Sequence, residues 1–292
     1  MAMGLLLRRR PGLRSEDARK HVTMRAAVLG TPISHSLSPV LHRAAYSALG
    51  LDWTYDAIEV GEDDLPGFID GCGPEWRGLS LTMPLKTAIL PLLDTVTDLG
   101  ASVGAVNTVV FAGGGRHGHN TDVAGMRRAI TEASDKPTQP ATATILGGGA
   151  TARSALAAVA ALGVSDVHLS LRSPARAGAL VDLSNEMSVA VHPHSWSEAR
   201  HHLDSDVVIA TTPPGTVDDL ADAVTSVHGV LLDVAYGTAK SALVDAWQRA
   251  GGAAADGRDL LLWQAVDQVA LMTGLDAPVE AMRSALLGVG QR

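Results

Sequence analysis

Residues 145–153 (ILGGGATAR) constrain the fold of this chain more than any other stretch. They follow a run of small and β-branched residues, 141–145, that favours a strand, and they open into an alanine-rich stretch with helical spacing. Gly147 permits a tight turn, Gly149 allows backbone N–H groups to approach a ligand closely, and Ala152 lets the helix and strand pack together. A strand, a glycine turn and a helix in this order predict a dinucleotide-binding unit.

The helix after this turn would present unpaired backbone N–H groups, and the positive end of its dipole, to a phosphate group. The alternative is a glycine-rich turn of an α/β protein that binds no ligand, and the strand–turn–helix context argues against it. We therefore predict that the turn contacts the cofactor through Gly147, Gly148, Gly149, Ala150 and Thr151.

The end of the second strand of this unit indicates which nicotinamide cofactor is bound. NAD-binding folds place a carboxylate there, about 20 residues after the glycines, to accept a hydrogen bond from the ribose 2′-hydroxyl. Here the strand 167–171 is followed by Arg172, Ser173 and Arg176, and the next carboxylate is Asp182, inside the following helix. Two guanidinium groups and a hydroxyl suit a 2′-phosphate, so we predict NADP. The alternative is that both arginines are solvated loop residues.

The composition is that of a globular protein, and it argues against several classes of function. The chain has 292 residues, of which 46% are hydrophobic and 18% charged, and its net charge is −8. This length accommodates two domains, and the negative charge without a basic patch argues against a nucleic-acid partner. The single cysteine, Cys72, excludes an internal disulfide and fits the reducing cytoplasm, where we expect the protein. No apolar run reaches the ~18–20 residues of a membrane span.

Residues 1–23 differ from the rest, with six arginine and lysine side chains against two acidic ones. Their apolar run is too short for the core of a signal peptide, and it precedes the basic cluster instead of following it. We therefore predict a disordered extension, and we expect the first strand to begin at Met24.

Strand and helix patterns alternate along the remaining chain, which predicts an α/β protein with mainly parallel strands. Ser38 and Pro39 are typical of the N-cap and first residue of a helix. The segments 105–111 and 116–119 predict a β-hairpin across three glycines. A polar linker, 135–140, marks the start of the dinucleotide-binding unit.

Several motifs outside the glycine turn identify a family. Residues 30–42 (GTPISHSLSPVLH) resemble the GxPIxHSxSPxxHN signature of shikimate dehydrogenases, and residues 81–86 (LTMPLK) resemble the segment that carries their catalytic lysine. Residues 104–108 (GAVNT) and 118–125 (GHNTDVAG) match two further motifs of that family. Five more elements follow in family order: the glycine turn, 172–176, 212–215, 233–236, and Gly257 with Gln264. The resemblance therefore covers essentially the whole chain from Met24.

The resemblance implies an N-terminal α/β substrate domain, a Rossmann-like dinucleotide-binding domain, and C-terminal helices that return to the first domain. We assign 24–122 and 257–292 to the substrate domain and 123–256 to the NADP-binding domain. The implied reaction is the reversible NADPH-dependent reduction of 3-dehydroshikimate to shikimate, on the chorismate route to aromatic amino acids. The partners would be small molecules, and the protein a monomer or a homodimer.

The resemblance also implies roles for individual residues. Lys86 and Asp122 would be the catalytic pair, and Val234 and Gly257 would contact the cofactor. The substrate carboxylate and hydroxyls would be bound by Ser36, Ser38, Thr82, Asn107, Tyr236 and Gln264.

The chemistry requires these residue types independently of the resemblance. Hydride delivery to a ketone creates an alkoxide that must be protonated as it forms, and a lysine beside the carbonyl can stabilise that charge and donate the proton. A carboxylate such as Asp122 would hold the lysine in place. Ser36 and Ser38, two residues apart beside a helix N-terminus, suit an anionic group. Taken singly, each of these residues also has a structural explanation, such as a helix cap for Ser38 or a surface lysine for Lys86.

Other features leave alternatives open. Ser80 stands where an asparagine is usual in the family, and Leu171 replaces another usual asparagine. The enzyme could be a paralogue of broader specificity that also oxidises quinate, or a non-catalytic member that only binds shikimate. The pairs His117/His119 and His192/His194 each lack a third fixed ligand in the sequence, so we predict no metal site.

Overall fold

A computed structural model of the protein describes residues 23–134, 139–236 and 241–289. All of the predicted N-terminal extension except Thr23 lies outside these ranges, as does most of the predicted linker.

The first part of the chain surrounds one six-stranded sheet. Its elements are β1 (Met24–Gly30), α1 (Ser38–Ala48), β2 (Trp53–Glu59), α2 (Leu65–Asp70), β3 (Trp76–Leu81), α3 (Leu85–Ala88), β4 (Thr95–Val96), α4 (Asp98–Val103), β5 (Thr108–Ala112) and β6 (Gly115–His119). The strand order is β2-β1-β3-β5-β6-β4. β1 is parallel to both of its neighbours, whereas β5 is antiparallel to β3 and β6. The first sheet is therefore mixed.

Local sequence signals explain much of this sheet. β1 begins at Met24, as expected, and β5 and β6 form the predicted hairpin. Its turn places Gly113 and Gly114 at positive φ angles of 58° and 80°, which glycine adopts without strain. The prediction that Ser38 caps α1 is wrong, because Leu37 already has helical dihedral angles and takes the N-cap position without a side-chain capping bond.

The second part of the chain surrounds a second six-stranded sheet, which α5 (Asp122–Ala133) connects to the first. Its elements are β7 (Thr142–Leu146), α6 (Ala150–Ala161), β8 (Asp166–Leu171), α7 (Gly178–Glu186), β9 (Ala190–Ser195), β10 (Val207–Ala210), β11 (Val230–Asp233), α8 (Ala242–Arg249) and β12 (Ala253–Ala255). All strands are parallel, in the order β9-β8-β7-β10-β11-β12. This is the doubly wound order, which binds ligands where the strand order reverses, beside β7 and β10.

Burial explains why these segments form parallel strands. All four residues of β10 and all four of β11 are buried, and both strands are runs of Val, Ile and Leu with one small or acidic end residue. Continuous apolar runs of this kind are typical of sheets that are covered on both faces. The small alanines of α6, including Ala152 and Ala155, are fully buried in the same core and let this helix lie close to the sheet.

The chain ends in α9 (Gly257–Thr273) and α10 (Val279–Gly288). Leu262, Val269 and Met282 of these helices share a core with Val28 of β1 and Leu41 of α1. The C-terminal helices therefore return to the first sheet, which confirms the predicted fold class. In the described parts of the chain, no helix combines the length and the apolar character needed to cross a bilayer. The predicted domain limits stay predictions, and the boundary at residue 122 falls on the first residue of α5.

Candidate active site

A pocket of about 260 Å³, here called the inner pocket, lies between the first sheet, the start of α9, and the loops that follow β10 and β11. All eight residues predicted to act in catalysis or to contact the substrate line it: Ser36, Ser38, Thr82, Lys86, Asn107, Asp122, Tyr236 and Gln264. These residues are up to 228 positions apart in the sequence, between Ser36 and Gln264. The fold thus brings the whole predicted set to one place.

Lys86 and Asp122 form an ion pair at the wall of this pocket. Lys86 Nζ donates to Asp122 Oδ2 at 2.6 Å, and the two side chains are 14% and 6% exposed. Lys86 lies in the short helix α3, and Asp122 is the first residue of α5, where the positive end of the helix dipole stabilises its negative charge. Because both groups are largely withdrawn from water, their attraction is screened less than that of a surface pair.

Asn107 orients Asp122 from the other side. Its Nδ2 donates to Asp122 Oδ1 at 2.8 Å and to Thr121 Oγ1 at 2.9 Å. Its Oδ1 accepts from the backbone N of Thr121 at 2.8 Å and from Thr108 Oγ1 at 2.9 Å. With both ends of the amide engaged, its orientation is fixed, and Asp122 is held by Asn107 and Lys86 together.

The end of the pocket next to α1 is built from hydroxyl groups. Ser38 is buried at the first residue of α1, and its backbone N donates to Ser36 Oγ at 3.4 Å. Burial raises the pKa of Tyr236, and a hydrogen bond with Ser36 acts in the opposite direction. The phenol is therefore neutral at physiological pH. This end therefore offers neutral donors at a helix N-terminus, which suits a carboxylate.

A buried hydrogen-bond network that the sequence analysis did not identify lies behind the pocket. Gln268 Oε1 accepts from Ser80 Oγ at 2.8 Å, and its Nε2 donates to Thr108 Oγ1 at 3.0 Å. Tyr55 in turn donates to Ser80 at 2.6 Å. His42 Nε2 lies 3.2 Å from Gln268 Oε1, and its ring stacks on Tyr55 at 3.9 Å.

His42 takes part in this network as a neutral ring. Burial lowers the pKa of His42 to about 3, although the hydrogen bond with Gln268 acts in the opposite direction. Because Gln268 Oε1 is an acceptor, Nε2 of the neutral ring carries the proton. Ser80 and Gln268 both reach the lining of the inner pocket, so the network supports the pocket wall directly.

A second cavity of about 640 Å³, here called the glycine-loop cleft, adjoins the inner pocket. Both are lined by Thr82, Lys86, Thr151 and Thr212, so the two spaces meet at the lysine. Of the predicted cofactor-contacting residues, those that line the cleft are Gly147, Gly148, Gly149, Ala150, Thr151 and Arg172.

The other predicted cofactor contacts lie elsewhere. Val234 and Gly257 line the inner pocket, where a methyl group on Gly257 would collide with the carbonyl oxygens of Val234 and Ala235. Ser173 is exposed beside the cleft and does not line it. Arg176 ends a 3-10 turn at Pro174–Arg176, and its side chain is outside the described part of the structure.

The glycine turn itself has the geometry that the sequence predicted. Gly147 has a φ of 120°, and a Cβ there would lie 2.5 Å from Thr211 Oγ1, so a side chain is excluded on two grounds. Gly149 is the N-cap of α6 and makes no side-chain capping bond, while the space beside its Cα is open. The first N–H groups of α6 therefore face an open space of the kind that binds phosphate.

The cleft has further lining residues that the sequence analysis did not single out. Trp196 reaches it from the 3-10 turn Trp196–His201 that follows β9, and Thr211 and Thr216 reach it from the loop after β10. The local sequence around Trp196 does not indicate a cleft residue, because the position of Trp196 depends on where the edge strand β9 ends.

The two histidine pairs behave differently. His117 Nδ1 lies 2.8 Å from Thr95 Oγ1 of β4 and its Nε2 lies 3.0 Å from the carbonyl oxygen of Ala112 at the end of β5, so both ring nitrogens have a partner. His194 instead lies against His168, with 3.0 Å between Nε2 of the former and Nδ1 of the latter. That no metal binds the pair His117/His119 stays a prediction.

Comparison with known proteins identifies the family. Residues 28–109 match the family model of the shikimate dehydrogenase substrate binding domain, and residues 257–287 match that of the shikimate 5′-dehydrogenase C-terminal domain. The chain is similar to the shikimate dehydrogenase (NADP(+)) of Halobacterium salinarum, with 37% identity over 89% of this chain and 97% of that protein. The chain belongs to the shikimate dehydrogenase family.

Solved structures of related proteins support this membership. The crystal structure of Mycobacterium tuberculosis shikimate dehydrogenase has 40% sequence identity and a TM-score of 0.81, covering 91% of this chain and 99% of that one. Quinate dehydrogenase from Corynebacterium glutamicum in complex with NAD has 29% identity and the same TM-score, 0.81, over 91% and 99% of the two chains. The predicted family and fold class are therefore confirmed.

Ser80, where the shikimate dehydrogenase family usually has an asparagine, now has a structural account. The shorter side chain leaves room for Gln268, whose amide reaches the same region from α9 and bonds Ser80.

Proposed function

We propose that this protein catalyses the reversible NADPH-dependent reduction of 3-dehydroshikimate to shikimate, in the biosynthesis of aromatic amino acids. One observation carries the proposal: the Lys86–Asp122 pair lies where the inner pocket meets the glycine-loop cleft. A proton donor at this junction is adjacent both to a substrate in the inner pocket and to a cofactor in the cleft.

The residues of the cleft fit NADP. The turn around Gly147 excludes side chains, and the N–H groups at the start of α6 would bind the pyrophosphate through Gly149, Ala150 and Thr151. Arg172, at the end of β8, lines the cleft where an NAD-binding fold would place a carboxylate, and its guanidinium would bind the 2′-phosphate. When bound, NADPH supplies the hydride for the ketone.

The inner pocket supplies the remaining chemistry. The Lys86 ammonium donates a proton to the oxygen of the reacting carbonyl, because negative charge develops there as the ketone is reduced. Asp122 keeps the ammonium in position in both directions of the reaction, and Asn107 keeps Asp122 in position. In the oxidation of the alcohol, the same lysine receives the proton that leaves the hydroxyl.

Substrate orientation follows from the distribution of charge in the pocket. Among the described lining residues, the one lysine and the one aspartate are Lys86 and Asp122, and they neutralise each other. A substrate carboxylate therefore binds best at the opposite end, where Ser36, Ser38 and Tyr236 offer hydroxyl donors. The ring hydroxyls would then be bound by Thr82, Asn107 and Gln264, and the reacting carbon would face the cleft.

A second candidate function is dehydrogenation of quinate, with NAD as cofactor. It is favoured by the similarity to quinate dehydrogenase from Corynebacterium glutamicum. Arg172 argues against NAD, because the ribose 2′-hydroxyl needs an acceptor and a guanidinium has none. A third candidate, a non-catalytic shikimate-binding protein, would be expected to lack the Lys86–Asp122 pair, which is present.

The decisive experiment follows the absorbance of reduced nicotinamide with shikimate or quinate as substrate and NADP⁺ or NAD⁺ as acceptor. We expect the highest kcat/KM for shikimate with NADP⁺. A higher value for quinate with NAD⁺ would favour the second candidate, and binding of shikimate without turnover with either acceptor would favour the third. The expected cytoplasmic location and the monomeric or homodimeric state stay predictions, the latter testable by light scattering.

A further inference from the structure

Three histidines meet at the outer edge of the second sheet, away from the residues that line either cavity. His168 lies on β8 and His194 on the edge strand β9, and in the parallel register His194 stands beside Ser170, two residues after His168. The third, His202, follows the 3-10 turn Trp196–His201, which folds back over this face of the sheet.

The three rings are packed closely enough to share one ligand. Nδ1 of His168 lies 3.0 Å from Nε2 of His194, and the His202 ring lies 4.3 Å and 4.0 Å from the rings of His168 and His194. One nitrogen from each ring lies within 4.8 Å of the others, and all three side chains are partly buried.

We propose that His168, His194 and His202 form a binding site for a divalent transition-metal ion of which Zn²⁺ is the best-fitting member. Imidazole nitrogen is a preferred ligand of Zn²⁺, and three histidines with one open position form a recognised coordination set. At Zn–N distances of about 2.0–2.1 Å, tetrahedral ligand nitrogens lie about 3.3 Å apart. The two nitrogens at 3.0 Å therefore need to separate by a few tenths of an ångström, and the His202 ring needs to turn toward them.

None of the three rings forms a salt bridge within the described residues. The nearby carboxylate of Asp166 is 3.4 Å from His192 Nε2, outside the group of three. A metal ion can therefore bind the three rings without first displacing an ion pair.

A metal ion at this site would link the strands β8 and β9 to the turn Trp196–His201, which lies next to the glycine-loop cleft. His194 and His202 stand on either side of Trp196–His201, which begins with a capping box formed by Ser195 and Glu198. A metal ion bound to both histidines would fix the two ends of this turn against β8. The site is distinct from the reaction chemistry, because none of its three ligands lines the inner pocket or the glycine-loop cleft.

Titration of the untagged, metal-free protein with Zn²⁺ alone in a calorimeter tests the proposal. We expect one ion per chain in the wild type. In His202→Ala the affinity should fall at least about tenfold, since even the loss of an outer-shell partner costs that much. His201→Ala is the matched control, because it removes an exposed imidazole from the adjacent position of the same turn. Co²⁺ in place of Zn²⁺ should show the visible absorption of tetrahedral coordination.

Thermal unfolding gives a second readout that does not depend on cofactor or substrate. Zn²⁺ should raise the Tm of the wild type and of His201→Ala, because an ion that binds only the folded state stabilises it, and should raise the Tm of His202→Ala clearly less at the same concentration. His168→Gln serves if His202→Ala does not fold. Absence of stoichiometric binding by the wild type, or equal binding by His202→Ala or His168→Gln, would overturn the proposal.

Discussion

Lys86 Nζ lies 2.6 Å from Asp122 Oδ2, at the only place where the lining of the inner pocket and that of the glycine-loop cleft share a charged side chain among the described residues. The two residues come from different helices, α3 of the first part of the chain and α5, which connects the two sheets. Their pairing is the structural basis of the proposed reaction, because it holds an ammonium group beside the space for the cofactor.

Lys86→Ala should abolish turnover and leave NADPH binding largely intact. The substitution removes the proton donor, which typically contributes about 10²–10⁴-fold to the rate. NADPH affinity can be measured by fluorescence titration and turnover by nicotinamide absorbance. Asp122→Asn should lower kcat with a smaller effect, because the amide oxygen can still accept from Lys86, although the negative charge and one of the two acceptor oxygens are lost. Asp56→Asn is the control, since Asp56 pairs with Arg43 at the exposed surface. Substantial turnover by Lys86→Ala would remove this residue from catalysis.

Arg172→Ala should weaken the binding of NADPH selectively. A hydrogen bond to a charged group contributes about 1.5–3 kcal/mol, so the affinity for NADPH should fall roughly 10–100-fold. The affinity for NADH should change little, because NADH has no 2′-phosphate. Arg200→Ala, which removes an exposed guanidinium from the turn after β9, provides the control. Equal losses for both cofactors would show that Arg172 does not recognise the 2′-phosphate.

Gln268→Leu should lower both the stability and the substrate affinity. The change removes one buried hydrogen-bond partner each from Ser80, Thr108 and His42, and an unsatisfied buried polar group costs about 1–3 kcal/mol. Urea unfolding should show this loss, and KM for shikimate should rise more than KM for NADP⁺, because Gln268 lines the inner pocket and not the cleft. Gln268→Glu keeps the shape of the side chain and changes its charge, so comparison with Gln268→Leu separates the two effects on stability and KM. Unchanged stability together with unchanged KM would contradict the assigned role of the network.

His42 should make the folded state lose stability in acid. Burial lowers its pKa from the ordinary value of 6.5 to about 3 in the folded protein, so between these values the unfolded chain binds the extra proton. The free energy of unfolding therefore falls as pH decreases from about 6.5, by up to about 1.4 kcal/mol per pH unit from this residue. Urea unfolding of the wild type and His42→Asn between pH 7 and about 4 measures the difference in slope. Parallel slopes would show that His42 is not neutral in the folded protein.

The sequence predicted those parts of the fold and site that depend on local signals. The glycine turn, the hairpin at Gly113 and the start of β1 each follow from residues adjacent in the chain. The family motifs extended the prediction to the residues of the inner pocket, because each motif lies at a defined strand, helix or loop of the fold. Arg172 was found because the end of a strand is where the cofactor ribose is recognised.

The remaining features depend on pairings between distant segments. Ser80 was noticed only as a departure from the usual asparagine, and its partner Gln268 lies 188 residues further along the chain. His168 and His202 meet His194 only because β8 and β9 are neighbours and the following turn folds back over them. Ser38 was misassigned as a cap because Leu37, a residue without a capping side chain, takes that position.

The separation of the two sheets has a consequence for evolution and engineering. Lys86 and Asp122, which the proposed reaction uses for the proton, lie in α3 of the first part of the chain and at the start of the connecting helix α5, whereas Arg172 stands at a strand end of the second part. Selection for a different redox cofactor can therefore act on the tip of β8 while the acid–base chemistry is inherited unchanged. On the proposed roles, a change of coenzyme would begin with the few adjacent positions around Arg172.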